Sequence, residues 1–154
     1  MISVDEFLTA CDSALDGYAE ICAQLGDDLV NSRPDGIPGT NTAFGLVTHV
    51  VGVMARWGRT VNRGIVVPRD RDAEFLAAGT VSQALALIAS GRAALHEDAH
   101  AASPRDLPVN PAREKDGTTS RATQGAVLLH VYEELAQHLG QLEVSRDVLL
   151  ARRA

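Results

Sequence analysis

The stretch Leu95-His96-Glu97-Asp98-Ala99-His100 sets two histidines four residues apart with a glutamate between them. On a helix that spacing puts both imidazoles on one face, able to hold a zinc ion beside a general-base carboxylate. A zinc hydrolase also needs a third protein ligand and one position left open for water. The H-x-x-G-x-x-H continuation is absent, and the nearest downstream glutamate, Glu114, falls in a charged loop. The histidines lie in the last turns of their helix, where positive charge is favoured by the helix dipole. His96 and His100 are therefore read as metal-free helix-end residues, with Glu97 turned further toward solvent.

A less conspicuous set offers better chemistry. Glu134 and His138, in Glu134-Leu135-Ala136-Gln137-His138, are four apart and share a helix face beside an apolar stripe. His49 stands in a run of apolar neighbours, where an unpaired imidazole is costly. A bundle that joins the two flanks makes a His₂Glu set with one open position, which suits zinc. The same ligands also resemble the two-histidine-one-carboxylate arrangement of iron(II) sites, and the residues alone leave both metals open. His130 is a rival first ligand, since 130, 134 and 138 are evenly spaced. It drifts toward the outer face, however, and three ligands from one helix surface converge poorly on a small ion. Arg56, seven residues after His49, projects from the same flank, and Gln141 lies about one turn beyond His138. Both are candidates to line the pocket or support the ligands.

Four amphipathic helices must position these side chains. The first spans 4–25, with Ser3 and Glu6 as a capping box, Phe7, Leu8, Cys11, Leu15, Tyr18, Cys22 and Leu25 as its stripe, and Gly26 as its stop. The second spans 43–62, capped within 40–42, with Leu46, Val50, Val53, Met54, Trp57 and Val61 inward. The third spans 81–101 behind a Thr80/Gln83 box, with Val81, Leu85, Ile88 and Leu95 facing the core. The last spans 123–151, with Leu128, Tyr132, Leu135, Leu139 and Leu142 buried. No segment reads as a convincing strand. The expected fold is all-α, a four-helix bundle with long connections at 63–79 and 102–120.

Composition bounds the rest. A length of 154 residues fits one domain, expected to span 1–154. A net charge of −6 argues against non-specific nucleic-acid binding, which depends on clustered Lys and Arg. No apolar run reaches the roughly 20 residues that span a bilayer, and the acidic N-terminal segment is unlike a secretory signal. These features predict a cytoplasmic protein with no membrane partner. Cys11 and Cys22 share a face of the first helix, roughly 16 Å apart along its axis, too far to bridge each other. They read as small core residues.

The segments "RPDGIPGTNTAFGLVTHVVGVMARW", "VPRDRDAEF" and "HVYEELAQHLGQLEVSRDVL" resemble the DinB/YfiT-like superfamily. The resemblance is to the branch of mycothiol-dependent maleylpyruvate isomerases and actinobacterial mycothiol S-transferases, and it covers about residues 1–150. It implies a DinB-like four-helix bundle whose metal ligands fall on His49, Glu134 and His138, with zinc the usual ion. It implies thiol activation at that ion, with mycothiol or a related low-molecular-weight thiol attacking an electrophile in a detoxification role. It makes Arg69, Asp70, Arg71 and Asp72 of interest as substrate contacts or as charges closing a loop. Homodimers through helix faces are common in the superfamily, so a homodimer is expected. Isomerases of this branch carry a further C-terminal domain, whereas this chain ends at Ala154. The expectation is therefore an S-transferase, with an isomerase-like enzyme or a non-enzymatic, stress-associated metal-binding bundle as alternatives.

Overall fold

Helix α1, Val4–Leu29, begins at a closed capping box: Glu6 N donates to Ser3 Oγ at 3.1 Å and Ser3 N donates to Glu6 Oε2 at 2.6 Å. The computed structural model of the chain describes residues 2–112 and 121–152. The whole anticipated stripe of α1, from Phe7 to Leu25, is buried. Gly26 leaves helical geometry at φ 64°, a region glycine enters without steric penalty, and one further turn follows before the helix ends. The expected stop is thus a kink inside a longer element. Cys11 and Cys22 are free and buried, and burial, aided at Cys11 by the Asp12 charge, pushes their thiols up to about 12 and about 11. They behave as core atoms and stay protonated at neutral pH.

Helix α2, Ala43–Met54, is capped by Thr42, whose hydroxyl accepts from Gly45 N at 2.9 Å. It is buried on nearly every side, as its run of apolar residues requires. The expected single helix to residue 62 changes character after Met54, because Ala55–Asn62 is a π-helix. Wider π turns are rare and persist where tertiary contacts compensate. Here Arg59 and Arg63 both reach the buried carboxylate of Asp98, at 3.2 and 2.6 Å. Asn62 Nδ2 donates to Gln124 O at 3.2 Å, and Thr60 Oγ1 accepts from Val67 N at 3.0 Å. Nothing in a 3.6-residue periodicity reports such long-range bonds.

The 63–79 connection contains a short helix α3, Arg71–Glu74, capped by Asp70, which accepts from Ala73 N at 3.0 Å. Helix α4, Val81–His100, starts at the anticipated Thr80/Gln83 box. Its buried face differs from expectation: Ile88 and Leu95 are inside, Val81 is half-buried, and Leu85 is 38% exposed. The stripe instead runs Ala84, Ile88, Gly91, Leu95, Ala99. Small residues win these positions because α2 packs close, and a Cβ on Gly91 would sit 2.8 Å from Met54 Cε. Helix α5, Gln124–Ala151, is capped by Thr123 and buries Val127, Leu128, Val131, Leu135 and Leu142. Tyr132, expected inside, is 36% exposed and Val131 takes its place, while Leu139 is half-buried against Gly17 of α1.

Helices α1 and α2 each pack against both α4 and α5, so they occupy opposite corners of a four-helix bundle, and α3 packs on α2. The described residues contain no strand, and no helix among them is long and apolar enough to cross a membrane.

The revised α4 face makes a direct contrast. Leu95→Ala, at a 1% exposed position, is expected to lower unfolding free energy by about 2–5 kcal/mol in urea titrations. Leu85→Ala is expected to cost about 1 kcal/mol or less. Equal losses would mean that Leu85 belongs to the core after all.

Candidate metal centre

His49 lies in the middle of α2 and is 2% exposed. A buried imidazole must find polar partners, and here they come from the α3 connection. Arg69 donates from Nε to Glu74 Oε1 at 2.6 Å and from Nη2 to Oε2 at 2.8 Å, so both Glu74 oxygens act as acceptors. Nδ1 of His49 stands 2.9 Å from Glu74 Oε2, so Nδ1 carries the proton and donates. Arg69 Nη2, 3.4 Å from the same nitrogen, is a second donor and makes no hydrogen bond with it. The lone pair of His49 is thereby left on Nε2. Phe75 stacks on the ring at 4.4 Å between centroids and holds its tilt. Burial depresses the His49 pKa, with Glu74 acting in the opposite direction, and the result favours the neutral imidazole that binds metals.

This arrangement depends on a missing side chain. Gly52 sits on the same flank of α2, and a methyl there would collide with the Glu74 carboxylate. The glycine opens the slot through which Glu74 reaches a buried histidine.

On α5 the logic repeats. His138 Nδ1 is 3.1 Å from Gln141 Oε1, one turn along, and donates to it, which again leaves Nε2 with its lone pair. Glu134 lies between the two rings: its Oε2 is 3.8 Å from His49 Nε2 and 3.5 Å from His138 Nε2. The ligand atoms of His49, Glu134 and His138 all fall within 4.8 Å of one another. A tetrahedral zinc site with bonds near 2.0–2.2 Å separates its ligands by about 3.4 Å, so the set can close on an ion with small side-chain movements. Tyr18 of α1 seats this turn of α5 by donating to Leu135 O at 2.9 Å. Burial, and then the Glu134 charge, raise the Tyr18 pKa far above the ordinary range, so the hydroxyl remains a donor.

His130 is not on the outer face as expected. It is 9% exposed, its ring set edge-on to Trp57 at 4.8 Å between centroids, because the π-helical segment packs over that side of α5. Its Nε2 is 3.4 Å from Glu134 Oε1, the oxygen turned away from the other two imidazoles. His130 thus adjoins Glu134 on its other oxygen and is outside the set formed by His49, Glu134 and His138.

A pocket of about 270 Å³ opens over the site. Its lining includes His49, His130 and Glu134 together with Arg56, Trp57, Arg69 and Arg71. Arg56 lines the pocket, and Gln141 is hydrogen-bonded to His138. Of the connection residues, Arg69 clamps Glu74, Asp70 caps α3, Arg71 covers the Phe75 ring, and Asp72 is exposed on the first turn of α3. Glu74 itself was not singled out by sequence, although a buried histidine with a glycine three residues later asks for a partner from outside its helix. His96 and His100 lie elsewhere, facing Asp12 at 3.0 Å and Asp5 at 3.3 Å on α1. Glu114 lies outside the described residues.

The chain is similar to known proteins in family and in fold. A model of the mycothiol S-transferase family matches residues 6–150. Among solved structures, a crystal structure titled as the conserved protein of a locus from Enterococcus faecalis is similar to this chain with a TM-score of 0.74. The two share 13% sequence identity over 98% of this chain and 99% of that one, so the likeness is one of fold. The chain matches no curated protein. Because the family match runs through all four long helices and nearly the full length, the chain belongs to the mycothiol S-transferase family.

Proposed function

We propose that this protein is a metal-dependent thiol S-transferase that uses mycothiol or a related low-molecular-weight thiol, with His49, Glu134 and His138 holding a divalent ion, most simply zinc. One observation carries the reading. Two imidazoles on different helices each have Nδ1 tied to an acceptor, and both aim Nε2 at one carboxylate at the base of a pocket. Three protein ligands with an open fourth position are the pattern of a catalytic rather than a structural zinc site.

A divalent ion held there would supply the positive charge that keeps an incoming thiol in its thiolate form near neutral pH. The thiol comes from outside, since both cysteines of the chain are buried and protonated. The chain's own residues do the rest. Glu74 and Gln141 fix the imidazole tautomers and keep both rings in register. Glu134 would offset part of the ion's charge, with His130 Nε2 3.4 Å from its other oxygen. Trp57 and Arg56 line the pocket and limit water. In a substitution, the sulfur forms a bond to the electrophilic carbon, the leaving group departs with the bonding pair, and the thiol proton passes to solvent.

Purified protein is expected to contain close to one metal ion per chain and to conjugate mycothiol to an electrophile such as a bimane. Chelation should abolish turnover and added zinc restore it. His138→Ala should lose both metal and activity, and full retention of both would sink the proposal. Metal bound without turnover across a panel of thiols and electrophiles would instead favour a non-enzymatic metal-binding bundle.

Glu74 gives a second test. Glu74→Gln is expected to weaken zinc affinity about 10–100-fold, the usual effect of removing a ligand's hydrogen-bond partner. Gly52→Ala should do the same by displacing the Glu74 carboxylate. Competition with a chromogenic chelator measures both, and unchanged affinity in both variants would remove Glu74 from the centre.

A further inference from the structure

Two arginines that line the pocket have no ion-pair partner. Arg56 projects from the π-helical segment and Arg71 from the start of α3, and both line the pocket above His49 and Glu134. Several other described arginines are paired with carboxylates: Arg59 and Arg63 with Glu97 and Asp98, Arg92 with Asp16, Arg146 with Asp147, Arg152 with Asp35; Arg33 and Arg105 are not, and neither lines this pocket. In the pocket itself, Arg69 is committed to Glu74. Among the described residues, Arg56 and Arg71 have no acidic partner.

Arg71 is nonetheless held in place. Its guanidinium carbon lies 5.3 Å from the Phe75 ring centre, and Phe75 stacks in turn on His49. A cation–π contact uses the flat face of the guanidinium, which leaves its N–H edge free to donate. Arg56 stands directly before Trp57, whose ring is fixed against His130. Glu134, whose oxygens face the three imidazoles, forms no ion pair with either arginine.

A chain of net charge −6 that gathers unpaired positive charge at one pocket is arranged to draw in an anion. The planar donor fork of arginine matches a carboxylate in particular. We infer that Arg56 and Arg71 form a carboxylate-binding subsite, and that a co-substrate reacting in this pocket carries a carboxylate set apart from its reacting atom. The subsite stands on the geometry alone; that its ligand reacts rests on the S-transferase reading above.

The experiment compares isosteres. With zinc-loaded protein and mycothiol, 4-chloro-3-nitrobenzoate is compared with 4-chloro-3-nitrobenzamide, each rate divided by its uncatalysed rate. In either, sulfur bonds to the ring carbon, chloride leaves, and the thiol proton goes to buffer. A parallel arm compares N-acetylcysteine with its amide as the thiol, which tells whether the carboxylate belongs to electrophile or thiol. In one arm kcat/KM should favour the carboxylate about tenfold or more, and Arg56→Gln/Arg71→Gln should erase that preference, while Arg105→Gln, at an exposed position outside the pocket, keeps it. Absence of any preference in both arms, or an equal loss for acid and amide in the double variant, overturns the subsite. If no pair turns over, the S-transferase reading fails and calorimetry decides the subsite separately. 3-Nitrobenzoate should then bind the zinc-loaded protein and bind the double variant about tenfold more weakly. Equal binding of 3-nitrobenzoate and 3-nitrobenzamide overturns it.

Discussion

The hydrogen bond between His49 Nδ1 and Glu74 is the interaction on which the rest of the site depends. It places an imidazole and a carboxylate together in a nearly dry interior, an arrangement that is costly unless every polar atom is satisfied. Arg69 completes the satisfaction by donating to both Glu74 oxygens. The outcome is directional: one nitrogen of His49 is occupied, and the other is left bare toward α5. Gly52 permits the approach, and Phe75, next in sequence after Glu74, stacks on the ring that Glu74 anchors. A four-residue helix in a long connection thus governs a residue at the centre of the bundle.

Close approach through small residues recurs across the molecule. Gly52 admits Glu74, Gly91 admits Met54 and Val51, and Gly58 faces the buried Asp98 that Arg59 and Arg63 neutralise. The last of these contacts ties the π-helical segment to α4. That segment in turn carries Arg56 and Trp57 over the face of α5, which is why His130 is enclosed and the pocket has a wall on that side. The polar clamp on α4 and the shape of the pocket are therefore linked through one unusual stretch of helix.

The fold was legible in the sequence because its signals are local. Ser3/Glu6, Thr42, Thr80/Gln83 and Thr123 mark the four long helices at their starts, and heptad-like apolar spacing identifies most of the core. Misplacements occurred where a neighbour overrode periodicity: Leu85 and Tyr132 look like core by spacing, yet small residues and Val131 take the inward positions. At the site, the Glu134/His138 pair was readable from its spacing of four, and His49 could be set beside it as the flank of a second bundle helix; the family resemblance then singled out that set. The role of Glu74 and the burial of His130 were not readable. Both depend on contacts between elements distant in sequence, and neither a short helix in a linker nor a π turn leaves a periodic trace.

The central claim is that one ion is held between α2 and α5. Crystals of the zinc-loaded protein, with diffraction recorded on both sides of the zinc absorption edge, test it most directly. A single strong anomalous peak is expected about 2.0–2.2 Å from His49 Nε2, His138 Nε2 and a Glu134 oxygen. A peak between His96 and His100 instead, or none at these three residues in stoichiometrically loaded crystals, would contradict it.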